Sequence, residues 1–95
     1  MIFDWNEEKS QTLKKDRNIG FENIVLAIEE DHLLDVLDHP NKERYKNQYL
    51  LIVEIDEYIY IVPAVRDKDI WFLKTIYPSR KYTDLYLPGK RRSRK

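Results

Sequence analysis

The chain has 95 residues, no cysteine, and a formal net charge of zero from 17 Lys and Arg against 17 Asp and Glu. That length holds one domain with a single modest core, and the lack of cysteine excludes a disulfide framework and thiolate metal sites. No apolar run nears the roughly 20 residues that span a bilayer, and Met1-Ile2-Phe3-Asp4-Trp5 has neither the basic start nor the apolar stretch of a signal peptide, so the expectation is a cytoplasmic protein with no membrane partner.

Ile2–Trp5 alternates and predicts a short edge strand. Asn6 is a good N-cap, with Glu7 and Glu8 in the first turn where the helix dipole favours anions. The first helix runs toward Arg17, and Asn18 stops it because asparagine tolerates the left-handed conformation. Gly20 caps a second helix, in which Phe21, Ile24, Val25 and Ile28 form an amphipathic stripe. Glu29, Glu30 and Asp31 oppose the dipole at its C-terminal end, so the helix stops there. Leu33–Asp38 fits either a strand or an extended arm.

His39-Pro40-Asn41 is turn chemistry, and 42–47 is a charged connection. The segments 49–55 and 58–65 are rich in β-branched and aromatic residues and flank Asp56-Glu57, the length of a two-residue hairpin loop. Asp-Glu suits such a turn poorly, which leaves a longer loop open. Pro63 argues for an edge or a bulge. Residues 66–69 form the next turn, 70–77 the next strand, and after a proline-stopped turn a basic and aromatic cluster opens a last short helix. The predicted fold is α+β: two N-terminal helices packed on an antiparallel meander, with a short C-terminal helix. One domain covers residues 1–87, followed by a basic tail at 88–95.

The strand register gives the sheet two apolar faces. Leu50, Ile52, Ile59, Ile61, Phe72, Lys74 and Ile76 fall on one, which is mostly aliphatic and is expected to receive the helices. Tyr49, Leu51, Val53, Tyr60, Val62, Trp71, Leu73 and Tyr77 fall on the other. This second face is too apolar for open water, so a partner, or the tail with the last helix, is expected to cover part of it.

Charge is unevenly spread. Residues 66–95 carry ten Lys and Arg against three Asp, a net +7 that residues 1–65 balance at −7. A basic end on a neutral chain suggests a nucleic-acid footprint or an acidic partner, although five of those charges belong to Lys90–Lys95. Metal-free RNA cleavage needs a base for the 2′-hydroxyl, cations on the phosphate and an acid for the leaving oxygen. Arg80 is the leading phosphate ligand, because its planar fork matches phosphate oxygens. Lys74 and Lys81 add charge, and Arg66 is a second clamp if the fold brings it round. Tyr77 or Tyr82 can stack on a base or act as an acid, and Lys14 and Lys15 are candidate RNA contacts. His32 and His39 lack regular metal-ligand spacing, so no metal is expected. With only Gly20 and Gly89 in the chain there is no glycine-rich phosphate loop, and no cofactor is expected.

Phe3-x-Trp5 with Lys9, Leu13-Lys14-Lys15 and Ile19-x-Phe21-Glu22, followed by Ser79-Arg80-Lys81-x-Thr83, resembles the N- and C-terminal signatures of BrnT-like toxins. The likeness runs over roughly residues 3–87. Asn18 stands where that family usually has glycine, and Asp16-Arg17 where it often has a histidine. The resemblance implies a RelE-like fold and the toxin of a bacterial type II toxin–antitoxin system, a ribonuclease that inhibits translation. It also implies a cognate antitoxin, often a ribbon-helix-helix DNA-binding protein. The residues themselves leave open a non-catalytic RNA- or protein-binding module, or a self-associating subunit.

Overall fold

The computed structural model describes residues 1–89; Lys90–Lys95, which hold the charge of the basic tail, lie outside the described residues. The elements in chain order are β1 (Ile2–Trp5), α1 (Glu7–Arg17), α2 (Phe21–Glu29), β2 (Leu33–Asp38), β3 (Gln48–Ile55), β4 (Tyr58–Asp67), β5 (Ile70–Leu73), β6 (Tyr77–Pro78) and α3 (Arg80–Tyr86). The architecture is α+β, with the two N-terminal helices packed on the sheet and a short C-terminal helix. No helix among the described residues is long and apolar enough to cross a membrane.

Local chemistry sets the helix ends. The Lys9 amide donates to Asn6 Oδ1 at 3.0 Å, and Asn18 closes α1 at φ 60°, ψ 26°. Gly20 has no side chain with which to cap α2, and α1 supplies the missing acceptor. Ser10 Oγ receives the Phe21 amide at 2.9 Å, while Asn23 Oδ1 receives that of Gly20 at 2.8 Å. A β carbon at position 20 would lie 2.9 Å from Ser10 Oγ, so glycine is what lets the two helices approach this closely.

The sheet order is β1-β5-β4-β3-β2. Strands β2 to β5 form the expected antiparallel meander. β1 adds to β5 in parallel, through Phe3 opposite Trp71 and Trp5 opposite Leu73, and makes the sheet mixed. The uncertain segment at 33–38 is the opposite edge strand. Ile55 faces Tyr58 across a two-residue loop, in which Asp56 and Glu57 both take positive φ (52° and 62°). Eight paired positions in the β3–β4 ladder outweigh the poor turn preference of Asp-Glu.

Two expectations about faces are corrected. The helices cover the face with Leu51, Val53, Val62, Trp71 and Leu73, where Leu13, Phe21 and Ile24 complete the main core. The register was legible, but the side taken by the helices was reversed. The other face receives α3, through Leu87, Tyr82 and Tyr86 packed on Ile52, Ile59 and Ile61.

The second correction starts at Pro63. Lys74 donates its amide to the Pro63 carbonyl at 2.8 Å, but proline has no N–H to return, so the ladder fails at this pair. In the β5 register Ile76 would lie opposite Ile61; instead Tyr77 does. One extra residue between β5 and β6 therefore swaps the expected sides of Ile76 and Tyr77. Ile76 is fully buried with the main core and Tyr77 is exposed on the α3 face.

Both sheet edges are blunted in the same way. Asp4 Oδ1 accepts the Trp5 amide at 2.8 Å in β1, and Asp35 Oδ1 accepts the Val36 amide at 2.8 Å in β2.

Candidate functional site

The one-residue shift after β5 puts Tyr77 on the α3 face, the side that Phe72 and Lys74 already share. Phe72 lies opposite Val65, Lys74 follows on the same side two residues later, and Tyr77 lies opposite Ile61. The chain then turns through Ser79, whose Oγ accepts the Tyr82 amide at 3.1 Å, into α3 with Arg80 and Lys81 in the first turn. Lys74 keeps its register on the aliphatic face, but the strand has ended and the side chain is exposed, with Nζ 5.7 Å from the Phe72 ring centre. Arg80 is exposed, and Lys81 Nζ lies 5.8 Å from the Tyr82 ring centre.

Among the described residues none of these three cations makes an ion pair, unlike Lys42 with Asp38 at 3.0 Å. Arg80 and Lys81 sit at the positive end of their helix dipole, and no acidic residue shares that turn. Cations there weaken a helix, so helix stability does not explain them.

The remaining sequence candidates lie elsewhere. Arg66 is at the far end of β4, where Nε donates to the Lys68 carbonyl at 2.9 Å and the guanidinium lies 5.2 Å from the Trp71 ring centre. Five residues of strand, about 17 Å, separate Arg66 from the position opposite Tyr77, and its side chain is on the helix side. The fold does not bring it round to Arg80. Tyr82 is half-buried in the cluster that seats α3, its ring 6.1 Å from that of Tyr86, so it is a packing residue. Lys14 and Lys15 belong to α1, behind the sheet. Lys14 Nζ lies 3.3 Å from Asn23 Oδ1, and Lys15 lines a shallow groove with Glu8, Gln11 and Thr12.

Arg17 carries more than the helix end assigned to it from sequence. Its Nη1 donates to the Ile76 carbonyl at 3.2 Å, tying α1 to the segment that leads to Tyr77. It lines a cleft of about 220 Å³ with Asn18, Ile19, Asn23, Ile55, Asp56 and Tyr60. Burial holds the Tyr60 phenol above its ordinary pKa of 10.0, and the charges of Asp56 and Tyr58 add to this. The sequence does not pair Arg17 with Ile76, which is 59 residues away.

On the α3 side Tyr86 donates to Asp35 Oδ2 at 2.9 Å. Its pKa is raised first by burial and then by that hydrogen bond and the Asp35 charge. Among the described residues no three His, Asp or Glu side chains gather as a metal site. Comparison with protein-family models, with curated proteins and with solved structures finds no match for this chain.

Proposed function

We propose that this protein is the toxin of a bacterial type II toxin–antitoxin pair, a metal-independent endoribonuclease of BrnT-like character. In this reading it inhibits translation in the cytoplasm and is held in check by a cognate, ribbon-helix-helix type antitoxin. The observation that carries the reading is the strip of exposed cations, Lys74, Arg80 and Lys81, which make no ion pair among the described residues and lie along the chain on either side of exposed Tyr77. Arg80 holds the scissile phosphate through its fork, and Lys74 and Lys81 offset the charge that builds on it. As the 2′-oxygen bonds to phosphorus and the bond to the 5′-oxygen breaks, Tyr77 supplies a proton to the leaving 5′-oxygen, and the proton of the 2′-hydroxyl passes to solvent, which restores the phenol.

The test is tightly controlled expression of the wild type beside Arg80→Ala, with growth and total RNA followed after induction. Arrest with cleaved RNA is expected in the wild type, and growth with intact RNA in the variant. Full arrest by a folded Arg80→Ala protein would remove Arg80 from the site.

A second reading, a non-catalytic RNA- or protein-binding module of the same fold, is favoured by the place of the histidines. His32 and His39 flank β2, the edge strand on the far side of the sheet from β5. The residue type most used as a general base is thus remote from the cations. Growth without arrest and intact RNA, with folded wild-type protein present, would select this reading.

A further inference from the structure

Among the described residues α3 covers only part of its face of the sheet. Beyond the α3 cluster it continues through Phe72 to Ile70, 45% exposed, and Ile2, 58% exposed, while Tyr77 is 39% exposed on its near side. Apolar surface left open in a row marks a contact surface. Its chemistry is not that of a plain protein-docking face. Half-buried Phe72 and exposed Tyr77 stand on this one side, the Lys74 ammonium lies against the Phe72 ring, and Lys74, Arg80 and Lys81 have no carboxylate partner among the described residues.

Measured along β4, Phe72 and Tyr77 lie four residues apart, about 13 Å. That is far enough to take two different bases. Rings that accept bases of any sequence, bordered by cations that follow a backbone, are the recurring device for holding single-stranded nucleic acid.

We infer that Phe72 and Tyr77 form a stacking platform for single-stranded RNA, with Lys74 between them and Arg80 and Lys81 along the outer side. This rests on the RNA-directed reading above and adds to it the part that holds the strand. The Lys74 ammonium, 5.7 Å from the centre of the Phe72 ring, swings onto the phosphate of the base that takes its place. The bulge is essential to the arrangement: without it Tyr77 would face the helices and the row would be broken.

The experiment is fluorescence anisotropy with a labelled single-stranded oligoribonucleotide that is 2′-O-methylated, so that it binds without being cut. The wild type is compared with Phe72→Leu, Tyr77→Ala, Tyr77→Phe and Arg80→Ala, each checked by thermal melting. Phe72→Leu keeps an apolar side chain beneath the strip while removing the ring. Phe72→Leu and Tyr77→Ala are each expected to weaken binding by about tenfold or more, and Tyr77→Phe to stay within about twofold because the stacking ring remains. Wild-type affinity in both ring variants, alongside weakened binding by Arg80→Ala, would overturn the platform and leave the RNA-directed reading standing. No binding by the wild type itself at moderate salt would overturn both.

Discussion

Thr83 shows how a single hydroxyl can hold an element in place. It is fully buried, accepts the Ile59 amide at 2.8 Å and donates to the Ser79 carbonyl at 2.7 Å, so it pins α3 to the start of β4 and closes its own helix turn. Thr83→Val keeps the shape but strands a buried amide, and is expected to lower stability by about 1–3 kcal/mol. A urea midpoint measured beside Thr83→Ser, which retains the hydroxyl and loses less, checks this. Residue roles that depend on near neighbours were legible in the sequence: Asn6 caps α1 and Asn18 takes the left-handed conformation, both within one helix turn. Ser10 capping α2 and Arg17 reaching Ile76 were not legible, because each partner is brought close only by the packing of separate elements.

The same distinction holds for elements. The helix stripe of α2 and the hydrophobic runs of β3 and β4 gave their type and register. Alternation assigns residues to two sides but does not say which side receives the helices when both are apolar, and so the faces were reversed. Pro63 signalled an edge or a bulge, but the run 70–77 still read as one strand, because Pro63 lies on the partner strand and acts there only through its missing N–H. Turn geometry is also a property of the element. Lys68, at the first position of the β4–β5 loop, has φ 58°, a conformation that costs most residues energy and glycine little. Lys68→Gly is therefore expected to stabilise the protein by about 0.5–1 kcal/mol, seen as a higher urea midpoint. The Arg66 hydrogen bond is retained, since it uses the backbone carbonyl of Lys68.

At the scale of the whole molecule, Tyr60 and Tyr86 tie stability to alkaline pH. Burial raises the pKa of both above 10.0 in the folded state. Below that value both groups are protonated whether the chain is folded or not, and their contribution is fully present. Above it the unfolded chain releases these protons first, so stability falls as pH rises through the folded pKa values. The urea midpoint is expected to fall as pH rises above 10.0, with a shallower drop for Tyr86→Phe; equal slopes for the two proteins would exclude Tyr86 as a source.

The two sheet borders act at this scale as well. In β1 and in β2 an aspartate already occupies the amide of the residue after it, and it adds a charge where an incoming strand would have to lie. Nascent copies leaving one message crowd together while their sheets are still forming, and a bare edge would let one copy seed the next. These carboxylates make each border a poorer template for such seeding.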